Sequence, residues 1–413
     1  MEPNQTLCAA YDPYGVVRFV ATSVGSVVGI CGISLNILMT VVFLRLTRLM
    51  YKKKKLAAAL HRKLAEQDSD TSQAGAHSPH NNGLRLLIRQ MSEKKNGSAT
   101  IYLYLTILAA CDTCICFGFC VIYGLDTIAL YLRVATIFHL YFKIIIFAFT
   151  LFRIVELVLP YLYIVATFEK WLATSSKTGW RAWLAKGLSA DTARYFISAL
   201  TCVAAAGLRG PTWWAYTIQH YPNCTDIFGT KQVAPTTLAF HPIYGIVDFY
   251  VANALGVFIP FVLLLALNLA MLKNIKDARE RRRVERLTDS LLKARALHGI
   301  TVRGRTLQTA QSTKEKEDAR LLKHTTISIF VLVTSYLLCT APSFVLTVLE
   351  QFYSSLVLNE DSSSNQLYIV WGDAVSMLFM LNSFLSPLML YQCNREIRTE
   401  TRRLLHFGSE IKA

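Results

Sequence analysis

The stretch 160-PYLYIVATFEKWLAT-174 decides how the chain is read, because an apolar run stops abruptly at Glu169-Lys170-Trp171. A charge pair at the end of a greasy segment marks either the level at which a helix leaves a membrane or a working group held at that level. Composition favours a membrane setting. Hydrophobic residues make up 53% of the 413 and charged residues 17%, against roughly 25% charge in an average soluble domain. The apolar residues are gathered into long blocks rather than spaced at a soluble helix or strand period.

Seven blocks are long enough to cross about 30 Å of hydrocarbon, which takes roughly 20 helical residues. They are 16–45, 99–125, 142–175, 192–217, 242–274, 322–350 and 367–391. The expected fold is an all-α membrane protein, a seven-transmembrane helix bundle. Block 192–217 carries Arg194, Arg209 and Gly210-Pro211. It is kept because 195–208 is apolar and Trp213, Trp214 and Tyr216 suit an interfacial belt.

Basic residues set the expected orientation. Lys and Arg number 12 in 45–97, 5 in 170–194, 15 in 273–323 and 5 in 395–412, so 37 of the 43 fall in alternate connections or the tail. The positive-inside rule then puts the amino terminus (1–15) outside and the carboxyl terminus (392–413, an amphipathic tail helix) inside, in a multi-pass plasma-membrane protein. The net charge of +16 reads as attraction to anionic membrane lipids and contact with an intracellular partner. A nucleic-acid partner is not expected, since membrane spans separate the basic stretches. No cleavable signal peptide is evident, so the first span directs insertion. Asn4 and Asn223 head glycosylation sequons on the outer side, whereas the sequon at Asn96 falls inside.

The long inner loops differ in character. In 46–98, Lys52-Lys53-Lys54-Lys55 leads into a predicted amphipathic surface helix, and the polar run 68–83 is predicted to be disordered. Loop 275–321 is a charged helix former continuing the fifth span.

Residues within the spans narrow the function. Asn36, the run Leu108-Ala109-Ala110-Cys111-Asp112, Cys339-Thr340-Ala341-Pro342 and Asn382-Ser383-Phe384-Leu385-Ser386-Pro387 stand in the order and spacing of signature residues. On them the chain resembles the rhodopsin-like G-protein-coupled receptors, over most of its length. The stretches 241–275, 340–350 and 100–112 further resemble invertebrate FMRFamide-like neuropeptide receptors. That resemblance implies a receptor for a short amidated peptide that signals to a heterotrimeric G protein by opening its inner helix ends.

It also implies roles for particular residues. Glu169-Lys170-Trp171 takes the place of the family's Asp/Glu-Arg-Tyr, with lysine lacking the planar fork of arginine; the plainer alternative is an interfacial anchor. Asp112 is assigned to a sodium and water site with Asn36, Asn382 and Ser383, or is a neutral acid that glues helices. Ser386 replaces the usual asparagine. Pro260, Pro342 and Pro387 provide bends in the fifth to seventh spans. Thr340 replaces the family's tryptophan switch, and Tyr391 lies one residue later than its tyrosine.

For ligand binding, Arg153 and Glu156 in the third span either pair with each other or meet the ligand. Asp248, Glu350 and Asp373, with Trp371 beside them, form an acidic, aromatic mouth suited to a basic peptide; the alternative is a set of solvated rim charges. The family ties its second outer loop to the third span by a disulfide. Here the loop supplies Cys224 and the third span begins without a cysteine, which leaves Cys8, or the less exposed Cys120, as partner. Cys111, Cys114, Cys116 and Cys120 read as buried thiols rather than metal ligands. No enzyme motif occurs, and no cofactor is expected. The other readings are a transporter or channel with Asp112, Arg153 and Glu156 lining a path, and a rhodopsin-like receptor for a non-peptide ligand.

Overall fold

The computed structural model describes residue 8, residues 15–72, 102–174, 179, 183, 187–188, 191–296, 305–352 and 362–410. Asn4, the sequon at Asn96, residues 73–83 of the polar run and the side chain of Glu350 lie outside the described residues. The chain is mostly helical: α1 (Val16–Ser72), α2 (Tyr102–Tyr131), α3 (Ala135–Thr174), α4 (Asp191–Arg209), α5 (242–296), α6 (Arg305–Phe352), α7 (Ser362–Cys393) and α8 (Arg395–Glu410). A helix therefore covers most of each of the seven expected blocks. Five segments, Val16–Lys52, Tyr102–Tyr131, Ala254–Asp277, Thr326–Leu349 and Val370–Cys393, are long and apolar enough to cross a membrane.

Side-chain burial runs opposite to that of a water-soluble bundle. One stripe of α1, with Val17, Val20, Val24, Val27 and Ile30, is exposed, while Asn36, Asp112, Glu169, Arg194 and Asn382 are buried. An apolar exterior around a polar interior is what hydrocarbon solvent selects.

α3 is the central post. It packs against α2, α4, α5 and α6, and its Leu159, Leu162 and Tyr163 are almost fully buried. Tyr163 meets Tyr336 of α6 at 5.1 Å between ring centroids, and Phe152 meets Phe379 of α7 at 6.3 Å. α1 packs on α7, and α8 folds back on both. The α7–α8 corner is capped by Asn394, whose Oδ1 accepts from the backbone N–H of Glu396 at 3.0 Å.

In two of the helices a proline's lost hydrogen bond is made good by a named side chain. Pro387 lacks the N–H that would serve the carbonyl of Ser383; Asn36 Nδ2 donates to it instead, at 2.9 Å. In α5 the segments Ile246–Val251 and Ala254–Phe258 are π-helical. In that i→i+5 register the carbonyl of Leu255 would be served by residue 260, a proline. Tyr161 of α3 donates its hydroxyl there at 2.9 Å. Pro160 inside α3 removes the donor for the carbonyl of Glu156, so the bend falls one turn from that acid.

Two features depart from the sequence reading. The fourth block does not run as helix to 217: α4 stops at Arg209, Gly210-Pro211 breaks it, and Tyr216–His220 pairs with Lys231–Pro235 as an antiparallel hairpin, β1 and β2, with Tyr216 opposite Pro235. The all-α expectation thus misses one small sheet. The second departure is α1, which continues without a break through Lys52–Lys55 to Ser72, so Asp68–Ser72 are helical rather than disordered and no separate surface helix forms.

The hairpin is pinned from several sides. Cys8 and Cys224 form a disulfide, and Arg133 pairs with Asp226 at 3.0 Å. Phe228 packs edge-on against Phe138 of α3 at 5.4 Å. A Cβ at Gly229 would stand 2.8 Å from Cys224 Sγ, so the bridge needs glycine there.

Candidate functional site

Three cavities lie along α3, and six of the singled-out residues line them: Asn36, Asp112, Glu156, Glu169, Lys170 and Pro387. The first, at the hairpin end, is a small cavity of about 50 Å³, enough for the tip of a ligand and well below the roughly 300–1,000 Å³ of a whole small-ligand site. Phe152, Glu156, Phe261, Tyr336, Ser376 and Phe379 line it. Glu156 is the carboxylate of an otherwise aromatic and hydroxyl-bearing wall, which is the chemistry for a cation on an apolar body.

Beside this cavity the other expected ligand residues have partners of their own. Asp248 accepts from Arg209 Nη1 at 2.6 Å and lies 3.6 Å from Arg153; Arg153 lies 3.9 Å from Glu156. Asp373 is held by Arg18 at 2.7 Å. Trp371 donates its indole N–H to the carbonyl of Pro342 at 3.3 Å, tying α7 to the bend of α6. The expected ring of acids open to a basic ligand is therefore reduced to Glu156 among the described side chains. Arg18 and Arg209, absent from the sequence reading of the site, cancel the charge of the other two.

The middle cavity, of about 10 Å³, close to the room one water needs, is lined by Asn36, Asp112, Tyr163, Ser386, Pro387 and apolar neighbours. Asn36, Asp112, Asn382 and Ser383 are all 1–2% exposed. Asn382 Oδ1 accepts from Ser335 of α6 at 3.1 Å. Asp112 Oδ1 and Asn382 Nδ2 are buried without a hydrogen-bond partner among the described residues. No group of three His, Cys, Asp or Glu side chains occurs among the described residues. A cation here would meet one carboxylate and neutral oxygens, a donor set that suits sodium rather than a transition metal.

The third cavity, of about 10 Å³, lies at the other end of α3 and is lined by Tyr104, Tyr163, Glu169, Lys170, Ile329 and Leu332, among others. Lys170 is 4% exposed. Glu169 accepts two hydrogen bonds from Arg194 of α4, through Nε at 2.9 Å and Nη2 at 2.5 Å. The sequence reading has Glu169 holding Lys170; the structure gives its carboxylate the stronger, forked partner on the next helix. Trp171 stacks on Phe168 at 5.8 Å. Tyr391 serves the corner to α8, where Arg398 lies over its ring at 6.0 Å. Asn223 is in the hairpin loop, next to the disulfide.

Glu156 and Lys170 are separated by about 20 Å along the axis of α3, with the polar cluster between them. The chain matches no protein-family model, and no curated protein is significantly similar to it.

Proposed function

We propose that the protein is a seven-transmembrane receptor of the rhodopsin-like kind, with its amino terminus outside and its carboxyl terminus inside the plasma membrane. Its ligand is a short basic peptide with an amidated, aromatic end, and its inner partner is a heterotrimeric G protein. The observation that carries the reading is the alignment along one central helix of an aromatic cavity with a carboxylate, a buried polar cluster at proline bends, and a second cavity with a buried lysine. A cation entering at Glu156 would load the bend at Pro160. The bends at Pro260, Pro342 and Pro387 give the neighbouring helices freedom to part around Lys170. Asp112 with Asn36, Asn382 and Ser383 would hold a sodium ion in the closed form. Membrane lipids contact the exposed apolar stripes and the basic tail.

The test is a second-messenger assay on cells displaying the chain, screened with short amidated peptides that include Arg-Phe-amide endings. The expected result is a response lost in Lys170→Ala with surface expression unchanged. Silence across the library at full surface expression would remove the peptide reading, and ligand-dependent flux without G-protein activation would make the protein a transporter or channel.

A further inference from the structure

The four charges at the hairpin end of the bundle are not equivalent. Arg209, on α4, has its side chain 5% exposed and donates to both Asp248 Oδ1 at 2.6 Å and the Asp248 carbonyl at 3.3 Å. That is a fixed, hydrogen-bonded contact. Arg153 sits between two acids, 3.6 Å from Asp248 and 3.9 Å from Glu156. Both separations exceed hydrogen-bond length, and its Nε is buried without a hydrogen-bond partner among the described residues. Charge alone holds Arg153 in place, midway between one acid already satisfied by Arg209 and another that opens on the cavity.

We propose that Arg153 is a specificity-determining residue that acts as an internal competitor: its guanidinium holds Glu156 until a ligand's cation displaces it onto Asp248. The proposal rests on the reading of Glu156 as the ligand's anchor. It sets a requirement on the ligand, which must bring a guanidinium or amine able to replace the one it displaces; a neutral analogue of the same shape leaves Arg153 where it is. It also gives the event a route outward. Asp248 lies in the π-helical segment Ile246–Val251 of α5, and π-turns inside α-helices occur frequently at functional sites. A second guanidinium arriving on Asp248 competes with Arg209, the side chain that ties α4 to that segment.

Two readouts on the full chain in lipid nanodiscs test this. The first needs no ligand: melting temperatures of Arg153→Gln, Glu156→Gln and the double variant give the coupling of the pair, with and without Asp248→Asn. Removing Asp248 should send Arg153 to Glu156 and raise that coupling; equal coupling in the two backgrounds overturns the proposal. Should Arg153→Gln not fold, Arg153→Lys, which loses the fork, replaces it, and the coupling to Glu156 should again be larger with Asp248→Asn.

The second readout is titration with the dipeptide Arg-Phe-amide. If Arg153 occupies Glu156 about nine-tenths of the time, Arg153→Gln raises affinity about tenfold. Asp248→Asn should lower affinity, and adding Arg153→Gln to it should restore the level of Arg153→Gln alone. A double variant that stays weaker would mean that Asp248 touches the ligand directly, and the exchange would be wrong. A coupling that grows as stated while no variant binds the dipeptide would uphold the exchange and refute the basic-peptide reading.

Discussion

Replacing Arg194 by leucine removes the forked partner of the Glu169 carboxylate. The Arg194 side chain is 0% exposed and that of Glu169 9%, so water cannot screen the charge left behind. Breaking a buried pair from one side costs about 3–5 kcal/mol. Two hydrogen bonds to a charged group, at roughly 1.5–3 kcal/mol each, lead to the same range. The expected melting temperature of the purified full chain falls by roughly 5 °C or more. A thiol-reactive dye reads it in a background where the exposed Cys31 and Cys202 are replaced by serine, because Cys111 and Cys116 are free and buried and react only as the bundle opens. Arg194→Leu/Glu169→Leu removes both charges and should return to within about 1 kcal/mol of the parent. A single variant that melts within 1 °C of the parent, or a double variant no better than the single, would refute the claim that this pair is a buried, mutually dependent unit; these thresholds correspond to well under about 1 kcal/mol.

Other expectations follow from the same geometry. Glu156→Gln should weaken Arg-Phe-amide peptides about tenfold or more, the loss of a charged hydrogen bond, whereas Asp373→Asn, whose carboxylate already belongs to Arg18, should change them by less than about threefold; concentration–response curves decide. Non-reduced peptide mapping should recover Cys8 linked to Cys224, and Cys224→Ser should cost about 2–5 kcal/mol in thermal unfolding. A Cβ on Gly118 would stand 2.6 Å from Phe152 Cδ2, so Gly118→Ala should cost about 1–3 kcal/mol by overpacking and push that ring toward the ligand cavity, which a paired melt and titration would detect.

Much of the architecture is legible in the sequence because lipid imposes a one-dimensional rule: a span must be long and apolar, and a polar residue within it must have a reason. That rule singles out Asp112; its grouping with Asn36, Asn382 and Ser383 is what the resemblance implies, and the structure buries all four, with Asn36 on the Ser383 carbonyl and on the same cavity as Asp112. Pairing across helices is another matter. Arg194 and Arg209 weaken the fourth block when read along the chain, yet each is buried against an acid on a neighbouring helix, Glu169 and Asp248. Which face of a helix meets which neighbour depends on rotation about its axis, and no local pattern records that. The hairpin escaped notice because its strands, Tyr216–His220 and Lys231–Pro235, are five residues each and bear no tight-turn signal between them. The π-turns of α2 (Cys120–Leu125) and α5 have no compositional signature, although Tyr161 and Pro260 together now explain one of them.

The bridge between Cys8 and Cys224 sets a schedule for biosynthesis. The two cysteines are 216 residues apart, and at about 5–20 residues per second a ribosome needs about 10–40 s to deliver the second after the first. Through that interval α1 to α4 are made, and Cys8 has no Cys224 to bridge to. The amino-terminal segment is therefore fastened to the hairpin only after the first half of the bundle has been made.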